Sequence, residues 1–110
     1  KHKLTNYIVV VDYNKFQIGG SVEEVTGLEP LKEKWESFGF DVIELDGHDV
    51  GMLRKAFKSI PRTKNKPTVM ICHTIKGKGI DFMENDYKWH WKSGIDAELM
   101  AKLKSKLEGK

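Results

Sequence analysis

Asn14 is the first side chain in this 110-residue sequence whose type and setting suit chemistry. It follows the run Ile8-Val9-Val10-Val11-Asp12, and its amide oxygen is a neutral hard ligand of the kind Mg²⁺ accepts beside a phosphate. In a turn, the same side chain can instead bond its own backbone. Further on, Thr74-Ile75-Lys76-Gly77-Lys78-Gly79 combines two glycines, which allow close backbone approach, with two lysines that attract an anion. The Gly-Lys-Ser/Thr ending of a Walker loop is absent, and a Gly/Lys surface turn has the same composition. His90 lies between Trp89 and Trp91, as either a site residue or a packing residue. His48 suits the turn Asp46-Gly47-His48-Asp49, and His73 ends an apolar run as core or site. No two histidines fall at i, i+4, so a helical zinc site is not supported. Cys72, inside that apolar run, reads as buried and inert.

These residues need elements to hold them. Ile8–Asp12 is predicted to be a strand, its β-branched run suiting burial on both faces of a parallel sheet. Residues 13–20 end in a turn signal. Leu28, Leu31, Trp35 and Phe38 form one stripe, which predicts a helix over 29–38 with Pro30 in its first turn and Gly39 as its stop. A second strand follows over 41–45. Val50, Leu53, Phe57 and Ile60 then predict a helix over 49–59, and Thr68–His73 is a third strand. Residues 74–94 show no clean period, which predicts a functional loop. Ile95, Leu99, Leu103 and Leu107 share one face of a terminal helix. The alternation predicts an α/β fold, a parallel sheet with βαβ crossovers, three strands and about three helices. Three strands leave faces and an edge uncovered, so the chain is expected to be part of a larger unit. In such sheets ligands bind at the carboxyl ends of the strands, which selects the loops after Asp12 and after His73.

Composition bounds the function. Nineteen Lys+Arg against sixteen Asp+Glu leave a charge of +3, too little for a dedicated nucleic-acid surface. The Lys and aromatic cluster Tyr87 to Lys92 keeps single-strand base stacking as a minor alternative. The apolar run Ile8 to Val11 is far short of a membrane span, and no secretory leader is visible. One unpaired cysteine suits a reducing, cytoplasmic setting. The start at Lys1 rather than Met is read as a fragment of a longer protein.

Taken in order, several segments resemble one family. Val11-Asp12-Tyr13-Asn14-Lys15-Phe16-Gln17-Ile18-Gly19-Gly20 resembles the second half of the thiamine-diphosphate motif of transketolases. Glu29-Pro30-Leu31 to Trp35, Phe38-Gly39-Phe40, Val42-Ile43-Glu44, Asp46-Gly47-His48-Asp49, Lys66-Pro67-Thr68-Val69, His73 to Gly79 and Trp89-His90 continue the resemblance. It is strongest to the N-terminal, thiamine-diphosphate-binding section of split transketolases. Deoxyxylulose phosphate synthase and the 2-oxo-acid dehydrogenases match less well. The resemblance implies that residues 1–110 are the C-terminal portion of that domain. It implies Mg²⁺ (or Ca²⁺) held by the Asn14 side chain and the Phe16 carbonyl, with the metal bridging the cofactor's diphosphate. Ile18 and Ile75 would lie near the thiazolium and Lys76 by the cofactor. His90 would be the catalytic residue, reaching both diphosphate and sugar phosphate. A pyrimidine-binding C-terminal subunit or domain would be the partner, in a dimer or heterotetramer, with neither nucleic acid nor membrane involved. Three departures stand out. The family's Gly-Asp-Gly segment is missing from this chain, Gly19 replaces its usual Asp, and Trp91 replaces the Gly after its His. The isolated chain is therefore expected to be inactive, and a non-catalytic assembly module of the same fold is the alternative.

Overall fold

The computed structural model describes residues 2–109 and forms two compact units. Unit one takes the residues up to Asn14 together with Thr26–Thr74; unit two takes Lys15–Val25 and the residues from Ile75 onward.

Unit one holds the parallel sheet. Its strands are β1 (Ile8–Tyr13), β4 (Asp41–Asp46) and β5 (Thr68–His73), in the spatial order β1-β5-β4. Thr68 pairs with Ile8 on one side and Asp41 on the other, and His73 pairs with Tyr13 and Asp46. The last strand in the chain is thus the central one. That explains its unbroken apolar character, because every residue from Thr68 to Cys72 is buried. The expectation that β1 is buried on both faces is wrong. β1 is an edge strand, and Ile8 and Val10 are exposed on one of its faces.

The helices lie between the strands in sequence. Helix α3 (Val50–Ser59) starts at Asp49, whose carboxylate accepts from the Met52 amide at 2.9 Å. It sets Ala56 and Leu53, with Ile60 beyond its end, against Leu45, Met70 and Cys72. The predicted stripe is therefore rotated. Val50 and Phe57 are exposed because α3 covers only the β4–β5 half of the sheet. Helix α2 (Leu31–Ser37) packs on β4. It is shorter than predicted: Pro30 stands before its first turn, and Phe38, expected in the stripe, is 80% exposed beyond its end. Trp35 meets Phe40 edge-on at 4.9 Å instead. Arg62 forks onto Asp41 at 2.6 and 3.0 Å and also reaches the Val42 carbonyl, tying the segment after α3 to the start of β4. The Asp41 hydrogen bond holds the Arg62 guanidinium above its ordinary pKa.

Unit two contains elements that the hydrophobic pattern does not reveal. Strands β2 (Phe16–Gln17) and β3 (Gly20–Ser21) form a small antiparallel pair, followed by the one-turn helix α1 (Val22–Val25). Ser21 and Glu24 cap each other: the Glu24 amide reaches Ser21 Oγ, and Glu24 Oε2 accepts from the Ser21 amide and hydroxyl. These bonds hold the Glu24 carboxyl below its ordinary pKa. After Ile75 come successive turns, a 3₁₀ segment (Tyr87–Trp91) and helix α4 (Ala97–Glu108). Asp96 caps α4 by accepting from the Leu99 amide at 2.8 Å. Lys102 sits 4.1 Å from the Phe82 ring centroid, and Lys106 donates to Asp81, so α4 is held to the preceding loop. Among the described residues, no helix is long and apolar enough to cross a membrane.

Candidate functional site

The carboxyl ends of the three parallel strands define the site of unit one. Asn14 follows β1 and is half-buried. At the end of β5, the Thr74 amide donates to the Tyr13 carbonyl at 3.3 Å, and the Thr74 hydroxyl donates to Asp12 Oδ1 at 2.5 Å. At the end of β4, the Gly47 amide donates to the His73 carbonyl at 2.8 Å, and Asp46 accepts from the His48 amide. His48 thus occupies the expected turn and is exposed. His73 is neither core nor free: its Nε2 lies 3.1 Å from Glu44 Oε1, and Lys32 approaches the same carboxylate at 3.9 Å. Cys72 is buried, and burial together with the nearby Asp12 carboxylate pushes its thiol pKa up, which disfavours a nucleophilic role.

The other candidates fall in unit two. Phe16 is half-buried in β2, paired with Ser21, and Ile18 is exposed in the turn between β2 and β3. Ile75 and Lys76 are half-buried at the start of a loop that closes on itself. The Asn85 amide donates to the Lys76 carbonyl at 2.9 Å, the Lys78 amide to the Ile75 carbonyl, and the Gly79 amide to Glu84. Gly77 has φ +74°, and a Cβ there would run into the Met83 backbone. The glycine thus serves close backbone approach, but within this chain. Met83, Glu84 and Asn85 shape the Lys76 loop and carry no sequence signal of that role. His90 is exposed in the 3₁₀ segment, which Asp86 caps by accepting from the Lys88 amide. The His90 ring stands edge-on to Trp91 at 5.0 Å, whereas Trp89 turns toward Phe82 at 5.7 Å. The two tryptophans therefore do not sandwich the imidazole.

The two oxygens expected from the sequence to meet a cation, the Asn14 amide oxygen and the Phe16 carbonyl, are both neutral. Among the described residues, no group of three or more His, Cys, Asp or Glu is placed to hold a metal ion. The Asn14 amide oxygen and Phe16 carbonyl are of the right class for Mg²⁺, but such a site ordinarily includes a carboxylate.

Comparison with known proteins agrees with this layout. Residues 1–109 match the family described as transketolase, thiamine diphosphate binding domain. The chain is 42% identical over 90 residues to one of the apulose-4-phosphate transketolase subunits of Phocaeicola vulgatus, covering 82% of this chain and 32% of that one. It is 38% identical over 105 residues to a 6-deoxy-6-sulfo-D-fructose transketolase subunit of a Clostridium species, covering 88% and 38%. A transketolase structure from Campylobacter jejuni superposes with a TM-score of 0.72 at 33% identity, over 79% of this chain and 13% of that one. The chain spans about a third of the length of the curated relatives it matches. With a parallel α/β sheet, a family match running from end to end and relatives named as transketolase subunits, the chain belongs to the transketolase thiamine-diphosphate-binding family.

Proposed function

We propose that this chain is the C-terminal portion of the cofactor-binding section of a transketolase, working with further polypeptide to transfer a two-carbon ketol unit. The observation that carries the reading is the family match over residues 1–109. When bound, thiamine diphosphate supplies the nucleophilic carbon and electron sink for moving that unit from a ketose phosphate to an aldose phosphate. The chain's own residues bind and orient. Asn14 contributes its amide oxygen and Phe16 its backbone carbonyl to Mg²⁺ (or Ca²⁺) on the diphosphate. Ile18 and Ile75 exclude water beside the thiazolium. Lys76 draws the diphosphate by charge, and His90 offers its imidazole nitrogens to the diphosphate and to the sugar. Neutral oxygens alone hold Mg²⁺ poorly, so a carboxylate from a Gly-Asp-Gly segment completes the site. A second polypeptide supplies the pyrimidine-binding side, which fits relatives that are themselves named as subunits. The assembly is a dimer or heterotetramer in the cytoplasm. A non-catalytic module of the same fold is the second reading, favoured by Gly19 and Trp91, which stand where the family pattern has Asp and Gly.

Calorimetric titration with thiamine diphosphate and Mg²⁺ tests the proposal. The chain alone is expected to show weak or no binding and no ketol transfer. Adding the Gly-Asp-Gly segment and the partner subunit should restore both, and Asn14→Ala should abolish the gain. Ketol transfer by the 110-residue chain alone would overturn the division of the site. A reassembled complex that binds no thiamine diphosphate would overturn the cofactor reading in favour of the non-catalytic module.

A further inference from the structure

Thr74 is the last residue of unit one before the chain passes into the Lys76 loop, and Asn14 is the last before the chain passes into β2. The register sets Asp12 and Leu45 beside Cys72, so Thr74 and Gly47, each two positions further on, share that sheet face. The two branches of Thr74 point to different neighbours. Its hydroxyl donates to Asp12 Oδ1 at 2.5 Å. Its methyl fills the space over Gly47, where a Cβ would lie 2.5 Å from Thr74 Cγ2 and 3.0 Å from Cys72 Cβ. A β-branched side chain engaged on both branches has one usable χ1. Backbone bonds from Thr74 to the Tyr13 carbonyl and from Gly47 to the His73 carbonyl add to this, so the ends of β1, β5 and β4 are tied together around Thr74. The hydroxyl bond is charge-assisted, the stronger class of hydrogen bond.

We propose that Asp12, Thr74 and Gly47 form a positioning clamp that sets the starting points of the Asn14 turn and the Lys76 loop. The clamp's role in cofactor binding rests on the proposed function; the clamp itself does not. Asp12 and Thr74 are positioning residues, acting through Asn14 and Lys76.

Two readouts test it. In the full chain, exchange of the amides at position 74 and at Gly47, which donate to the Tyr13 and His73 carbonyls, should speed up about tenfold or more in Thr74→Val and Asp12→Ala. Exchange in the centre of β5, at Met70, should stay unchanged. Thr74→Ser keeps the hydroxyl and gives up only the methyl contact over Gly47, and Asp12→Asn keeps an acceptor oxygen and gives up only its charge, so both should lose less protection than Thr74→Val and Asp12→Ala and stay within a few-fold of the parent. They also serve as the informative variants if Thr74→Val or Asp12→Ala fails to fold. In the complex reassembled with its Gly-Asp-Gly segment and partner subunit, the Kd for thiamine diphosphate with Mg²⁺ should rise about tenfold in Thr74→Val and recover in Thr74→Ser. Parent-like exchange in Thr74→Val and Asp12→Ala, or loss of protection in Thr74→Ser and Asp12→Asn equal to theirs, would overturn the clamp. Altered exchange with an unchanged Kd would overturn its positioning role. The expected exchange pattern in a parent complex that binds no cofactor would leave the clamp standing and remove the proposed function.

Discussion

Replacing Gly77 by Ala should open the Lys76 loop, and the structure separates the cost into two parts. The first is conformational: Gly77 has φ +74°, where an L-residue costs about 1–2 kcal/mol. The second is crowding, because the new Cβ would stand 2.7 Å from the Met83 carbonyl carbon and 3.0 Å from Met83 Cβ, and closer still to the carbonyl oxygen. A backbone neighbour cannot swing away as a side chain can, so overpacking adds about 1–3 kcal/mol. Gly94 isolates the first part, since its φ of +79° is equivalent and nothing lies within 4 Å of its Cβ position. Gly94→Ala should therefore cost about 1–2 kcal/mol. Gly77→Ala should exceed it by about 1–3 kcal/mol, most of it local to the loop. The assay is exchange of the Asn85 amide, whose bond to the Lys76 carbonyl closes the loop. Each 1.4 kcal/mol of loop opening appears as about a tenfold loss of protection there. Urea midpoints of both variants give the global part. Equal costs for the two alanines, or full Asn85 protection in Gly77→Ala, would refute the crowding argument.

Other perturbations have defined outcomes. Met70→Ala removes a fully buried side chain from the centre of the sheet and should cost about 2–5 kcal/mol in urea unfolding. Asp49→Ala removes the cap that accepts from the Met52 amide and should cost about 1 kcal/mol, visible as a lower melting temperature. The Lys106 ammonium holds the Asp81 carboxyl below its ordinary pKa. A carboxylate depressed on folding contributes stability above its unfolded pKa and loses it as pH falls through the folded value. Acid rather than base should therefore release Lys106 of α4 from Asp81, and the ¹³C titration midpoint of Asp81 should rise in Lys106→Gln; an unmoved midpoint would exclude the pair. Cys72, buried and with a raised thiol pKa, should resist a disulfide reagent at pH 8 until denaturant is added, and immediate native labelling would contradict its placement.

Much of the framework follows from sequence alone. A four-residue β-branched run, three amphipathic stripes and a second apolar run can satisfy their backbones and bury their apolar faces in few ways, and a parallel α/β sheet is one of them. Cap chemistry is equally local, so Asp49 and Asp96 stand where their side chains reach an amide three residues on. The Ser21–Glu24 box was missed: it has the Ser-x-x-Glu spacing, but no hydrophobic period around it marks a helix start. Strand order is a different matter. Period-two patterning says which residues share a face but not which strand is central, and only the register shows that β5 lies between β1 and β4 while Ile8 and Val10 face outward. The same non-local information brings Thr74 to Asp12 and Gly47, and Met83 onto Gly77. Such contacts join residues that the chain keeps far apart, or turn backbone where no side-chain period exists, so they emerge only when the sheet and the loop close in three dimensions.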